Sequence, residues 1–271
     1  MGKEEQLQQI IDSGVVAVIR VDSADQLVGI CEAMAAGGVR GVEITMTSPG
    51  ALDAINVAAK ALKGKAIIGA GSVLDPETAR MAILAGADFI VGPVVNLEMI
   101  EMCKRYGTMV IPGAFTPTEI LTAWQAGADV VKVFPATKLG PSFIKDVRGP
   151  LPQVRLTPTG GVDINNLGEF LKAGAVFVGV GTALVNKKYV AEKNWDALTE
   201  LAAEYVAAAR AARVGCVSCP KTQGLAPGRR CICLIRLLHL ARLCCASRLP
   251  AISGLCRLLH LMRSTEAAKL M

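Results

Sequence analysis

Histidine is absent from the first 213 residues of this 271-residue chain, and cysteine occurs there only as Cys31 and Cys103. So few thiols suit a reducing, cytoplasmic setting. No stretch reaches the roughly eighteen uncharged apolar residues that a membrane span needs. The N-terminus, Met1 to Ile11, is charged and helical in character and lacks the apolar centre of a secretion signal. The formal charge of +6 is concentrated at one end. Residues 214–271 hold 9 of the 29 Lys+Arg and 1 of the 23 Asp+Glu (Glu266), which leaves 20 basic and 22 acidic residues in 1–213. That near-neutral body has no basic stripe, which excludes nucleic acid as its partner.

What is present is glycine, 27 residues of it, in a chain that is 52% hydrophobic, enough for one large α/β domain. Short β-branched runs at Val15–Ile19, Gly41–Thr45, Ala66–Ala70, Phe89–Gly92, Met109–Pro112, Val130–Phe134, Arg155–Thr159 and Val176–Gly181 read as strands. Most are apolar throughout, as parallel strands buried on both faces should be. Stretches such as Ala24–Ala36, Pro76–Leu84 and Thr118–Gln125 have helical character between them. Asp75-Pro76-Glu77 and Thr116-Pro117-Thr118-Glu119 read as helix starts, a capping residue followed by proline in the first turn.

An internal echo sets the register. Gly38, Gly86, Gly127 and Gly174 each precede a strand, and their separations are 48, 41 and 47 residues. Glycine after a helix is the usual C-terminal cap, so each marks a turn from helix into strand. Eight strands with right-handed helical crossovers predict a (β/α)8 TIM barrel over 1–213 with an extra N-terminal helix; a doubly wound open sheet is the alternative.

Two charges stand out against this pattern. Lys132 lies in Val130-Val131-Lys132-Val133-Phe134 and Glu43 in Val42-Glu43-Ile44. Burying an ammonium costs several kcal/mol unless it is paired or deprotonated. Burial favours the neutral amine, which is the nucleophile for imine chemistry on carbonyls. The alternative for Lys132 is a strand-end lysine reaching solvent, and for the two together a structural ion pair. Glu43, Val91, Lys132 and Gly179 each lie five residues beyond one of the four glycines. Equal offsets predict equal height and facing, so Glu43 and Lys132 should meet inside the barrel, towards the C-terminal mouth.

The mouth carries further candidates. Thr159-Gly160-Gly161 ends strand seven and Gly179-Val180-Gly181-Thr182 ends strand eight. Loops there frequently bind phosphate, because glycine lets backbone N–H groups approach an anion. Arg20, after strand one, reads as a clamp for carboxylate or phosphate, or as a solvated surface arginine. Thr45 and Thr47 follow strand two, and Ser72 follows strand three as a hydrogen-bond donor. Pro93 and Phe134 would wall the pocket.

Together these residues resemble the 2-keto-3-deoxy-6-phosphogluconate (KDPG) and 4-hydroxy-2-oxoglutarate (KHG) aldolase family. The resemblance spans 1–213 and rests on Val42-Glu43-Ile44-Thr45, Gly69-Ala70-Gly71-Ser72-Val73, Pro112-Gly113, Lys132-Val133-Phe134-Pro135, Pro158-Thr159-Gly160-Gly161-Val162 and Gly179-Val180-Gly181. It implies a class I aldolase of the Entner–Doudoroff pathway acting on a phosphorylated keto acid. Lys132 would be its Schiff-base residue, Glu43 its acid/base group, and Gly160–Gly161 with Gly179–Thr182 its phosphate loops. It also implies a homotrimer and no metal or other cofactor. Some members carry an arginine where Thr47 stands, and Arg20 fits the alternative placement of that cation. Ser72 replaces a more usual threonine. Thr159 favours the gluconate-derived substrate over its galactonate epimer.

The tail, 214–271, reads differently. Arg236–Arg242 and Arg257–Arg263 repeat a short Arg/Leu/His pattern 21 residues apart. Cys216–Cys219 and Cys231–Cys233 invite a zinc site, but the second pair lacks the usual two-residue gap. The other readings are a basic amphipathic segment for a membrane surface or protein partner, and a tail without selected structure, such as translation past an ancestral stop. Besides the aldolase, two function classes remain open: a non-catalytic phosphometabolite-binding barrel or scaffold, and a phosphate-binding isomerase with Glu43 as base.

Overall fold

The hydrophobic runs form parallel strands whose successive side chains face opposite ways. The computed structural model describes residues 2–20 and 26–214. The strands are β1 (Val15–Ile19), β2 (Gly41–Thr45), β3 (Ile67–Gly71), β4 (Phe89–Val91), β5 (Met109–Ile111), β6 (Gly113–Ala114), β7 (Val131–Val133), β8 (Leu156–Pro158) and β9 (Val178–Val180). Helices α1 (Lys3–Ser13), α2 (Leu27–Ala36), α3 (Ala51–Ala61), α4 (Pro76–Ala85) and α5 (Leu97–Arg105) accompany the first half. The second half carries α6 (Pro117–Gln125), α7 (Ala136–Arg148), α8 (Leu167–Lys172), α9 (Lys187–Ala191) and α10 (Trp195–Val214). Readings that concern 215–271, including the cysteine pairs, the Arg/Leu/His repeat and the membrane or partner contact, lie outside the described residues. Among the described residues no helix is long and apolar enough to cross a membrane.

The hydrogen-bonded order is β5-β4-β3-β2-β1-β9, with β6-β7-β8 as a second ladder. β5 and β6 form one stave interrupted at Pro112, which has no N–H to give to a ladder. A bridge between Thr159 and Gly179 joins the end of β8 to β9. The pairing therefore comes full circle in a curled, TIM-like α/β barrel, and the open doubly wound sheet does not apply. Six of the eight strands differ from expectation in their bounds, β4, β7, β8 and β9 being shorter at one or both ends. The fifth stave continues past Pro112 to Ala114, and the third lies one residue later because Thr45 pairs with Gly71.

Local signals act as read. The Asp75 side chain accepts the Thr78 N–H at 2.6 Å. Thr116 and Glu119 form a reciprocal capping box. Gly38, Gly86, Gly127 and Gly174 all have φ between +91° and +107°, the left-handed turn that ends a helix.

Alternation divides the core into two layers. Val15, Ala17 and Ile19 of β1 pack outward among the helices, while Val16 joins Ile67, Phe89, Met109 and Phe177 inside. Leu7 and Ile10 of α1 belong to that interior cluster. Lys3 pairs with Asp129 at 2.8 Å and Gln6 donates to Asp88 at 2.6 Å, just before β7 and β4. Thus α1 covers the N-terminal end of the barrel.

Arg213 closes the ring of helices. Its guanidinium donates to the carbonyls of Ile11, Asp12 and Val176, tying α10 to the last turn of α1 and the approach to β9. Carbonyls at a helix end have no partner within the helix, and a cation there is favourable. Removing it in Arg213→Met should lower the thermal midpoint by roughly 3–9 °C, from a loss of about 1–3 kcal/mol. An unchanged melting curve would mean that water serves these carbonyls equally well.

Candidate active site

Glu43 and Lys132 project to the inside of the barrel from β2 and β7, while their neighbours Val42, Ile44, Val131 and Val133 face the helices. Glu43 is 3% exposed and Lys132 6%. The reading of Lys132 as a solvent-seeking strand end is thereby overturned. Both line one interior cavity of ≈ 10 Å³, about the size of a single water. Val91 and Gly179 line it too, so the four positions at equal offset from the cap glycines do share one level. Phe89, Ile111 and Phe177 add apolar walls.

Burial pushes the Glu43 carboxyl above the usual glutamate range, and the charges of Lys132 and Arg20 work against that rise. Room for Glu43 comes from the neighbouring strand. A Cβ at Gly71 would overlap the Glu43 carboxylate, so only glycine lets it lie there. Lys132 Nζ lies 4.7 Å from the centroid of the Phe134 ring. Cε2 of that ring is 3.6 Å from where a Cβ on Gly160 would stand. Phe134 thus spans from the amine to the glycine loop.

Beyond it lies an outer pocket of ≈ 330 Å³, within the usual size of small-molecule sites. Arg20, Thr159, Gly160, Gly161, Gly181 and Thr182 line it. Thr159 lines both spaces. The backbone N–H groups of Gly161, Val162, Thr182 and Ala183 donate to no group among the described residues. Successive N–H groups left open on a concave surface make an anion cradle. Arg20 is exposed and adds positive charge.

The remaining candidates fall elsewhere. Gly179 borders the inner cavity rather than the outer pocket, and a Cβ there would strike the Thr159 hydroxyl. Thr45 is buried in a hydroxyl cluster, accepting from Thr47 at 3.1 Å and lying 3.3 Å from Ser48. Thr45, Thr47, Ser72, Pro93 and Phe134 line neither cavity. Ser72 has φ +58°, a backbone state costly for a residue with a side chain. Asp163 and Lys187 also line the outer pocket and were not singled out. The available sign for Asp163 was its spacing to Asn166, a polar pair that favours local side-chain-to-backbone bonds.

A family model described as KDPG and KHG aldolase matches residues 7–201. A 2-dehydro-3-deoxy-phosphogluconate aldolase of Haemophilus influenzae is 33% identical over 204 residues, 73% of this chain and 96% of the relative. A 2-dehydro-3-deoxy-6-phosphogalactonate aldolase of Escherichia coli is 34% identical over 199 residues, 73% of this chain and 95% of its own length. The KDPG aldolase from Legionella pneumophila, solved with pyruvate captured as a covalent carbinolamine intermediate, is similar with a TM-score of 0.68. It is 28% identical, over 73% of this chain and 96% of that one. With its paired interior charges, its glycine-lined outer pocket and a match over most of its length, the chain belongs to the KDPG and KHG aldolase family of aldehyde-lyases.

Proposed function

We propose that the protein is a class I aldolase that cleaves 2-keto-3-deoxy-6-phosphogluconate to pyruvate and glyceraldehyde 3-phosphate, with 4-hydroxy-2-oxoglutarate as a second substrate giving pyruvate and glyoxylate. One observation carries this reading. Lys132 is the one buried cation among the described residues, and it shares a cavity with a buried carboxylate. The other buried acid, Asp129, pairs with Lys3 outside that cavity.

Lys132 Nζ attacks the C2 ketone to give a carbinolamine, which loses water to become an imine. The protonated imine accepts the electron pair of the C3–C4 bond as that bond breaks. Glu43 takes the proton of the C4 hydroxyl, directly or through one water, and the aldehyde leaves. Glu43 then returns a proton to C3 of the enamine, and water hydrolyses the imine to pyruvate and free Lys132. The water-sized space between the two side chains suits the relay. The open N–H groups of the two glycine loops, with Arg20, suit the phosphate. Thr159 at the junction favours the gluconate-derived epimer, which paired kinetics on both epimers would test. The family resemblance further supports a homotrimer with 1–213 as the catalytic domain, and the scarcity of thiols in that domain supports the cytoplasm.

Incubation with pyruvate and borohydride should give a stable adduct that maps to Lys132 and vanishes in Lys132→Ala. Folded wild-type protein without an adduct would instead favour an isomerase or a binding protein. Glu43→Gln should lower kcat by roughly 10²–10⁴-fold while pyruvate still adds to Lys132. Because burial raises the Glu43 pKa, its base form is lost as pH falls through a value above the ordinary ~4.3. The wild-type rate should therefore drop on the acid side of that value, and the limb should be missing from the glutamine variant. Gly71→Ala should displace the carboxylate and cost about 10²-fold in kcat, the penalty typical of a misplacement near 1 Å. Wild-type turnover in that variant would show that Glu43 does not need its observed position.

A further inference from the structure

The Gly160–Gly161 loop has no side chain of its own to hold it. Both glycines have positive φ, +94° and +71°, and glycine leaves many other conformations open. A backbone that presents N–H groups to an anion loses affinity if it must first be ordered. Packing restricts one side, since a Cβ at Gly161 would collide with the Thr137 side chain.

The other restraint comes from further along the chain. Asn166 stands at the cap position of α8 yet makes no side-chain bond to that helix. Its amide turns back over the loop instead. Nδ2 donates to the Gly161 carbonyl at 2.8 Å, and Oδ1 accepts the Asp163 N–H at 2.9 Å. A donor that meets a carbonyl and an acceptor that meets an N–H leave one sensible orientation for this amide. Asp163 Oδ1 accepts the N–H groups of Asn165 at 2.8 Å and Asn166 at 3.2 Å. The carboxylate that borders the outer pocket is thus engaged by its own segment.

The Gly161 carbonyl belongs to the same peptide unit as the Val162 N–H. In a trans peptide the two point in opposite directions, so anchoring one aims the other. The Val162 N–H is one of those without an acceptor among the described residues, and Val162 lines the outer pocket. We propose that Asn166 is a positioning residue for the phosphate end of the substrate, acting by holding the Gly161–Val162 peptide in its anion-binding orientation. This rests on the aldolase reading for the identity of the substrate, but the anchoring itself does not.

The test compares wild type with Asn166→Ala and Asn166→Ser. Serine keeps a short acceptor for the Asp163 N–H but cannot reach the Gly161 carbonyl. Titration calorimetry with inorganic phosphate should show about tenfold weaker binding in both folded variants, the scale of one lost hydrogen bond. In condensation with pyruvate, KM for glyceraldehyde 3-phosphate should rise about tenfold with kcat within about twofold, while KM for glyoxylate stays unchanged. Equal phosphate affinity in all three proteins would overturn the proposal. So would an equal KM rise for glyoxylate, no phosphate binding by wild type, or loss of the fold in both variants. If wild type forms no borohydride-trapped pyruvate adduct but the variants lose phosphate affinity, the aldolase reading fails and the anchoring role stands.

Discussion

Taking an ionised side chain out of water costs several kcal/mol, and this barrel does it twice, at Glu43 and Lys132, within one apolar interior. Much of the surrounding structure answers to that cost. Phe89, Ile111 and Phe177 make the walls apolar, which strengthens each charge's influence on the other. Gly71 yields the volume that the carboxylate occupies. Opposite charge offsets part of the Glu43 desolvation without cancelling it, so the carboxyl keeps a raised pKa. A hydrophobic pair in the same places would be as easy to fold and chemically inert.

The outer pocket solves a different problem. The groups it offers to the proposed phosphate are backbone N–H groups, which carry no net charge. Arg20, exposed at the rim, supplies net positive charge at a smaller desolvation cost. The deep and shallow groups are thus held in two spaces that meet at Thr159.

The strand order and the level of the reactive pair were legible because both rest on short-range regularities. Cap glycines recur before strands, and side chains alternate with period two, so an offset of five places Glu43, Val91, Lys132 and Gly179 in one layer. The continuation of the fifth stave past Pro112 was not legible, since a proline reads as the end of a strand. Nor were contacts between residues remote in sequence, such as the Glu43 carboxylate over Gly71 or Arg213 on the carbonyls of α1. Thr45 at the end of β2 and Thr47 beyond it show hydroxyls that engage each other, a contact their positions in the sequence did not reveal. Asn166 passed unnoticed because its amide serves the backbone of its own loop rather than a recognisable motif.

The N-terminal helix has a consequence for traffic. Leu7 and Ile10 of α1 close the barrel at the end opposite the glycine loops. Among the described residues, that leaves the glycine-loop end as the side from which Lys132 is approached. On the proposed chemistry the aldehyde lies between the lysine-bound carbons and that end, so it departs first and pyruvate last. Run in reverse, the keto acid has to enter before the aldehyde, and an aldehyde that arrives early blocks the way.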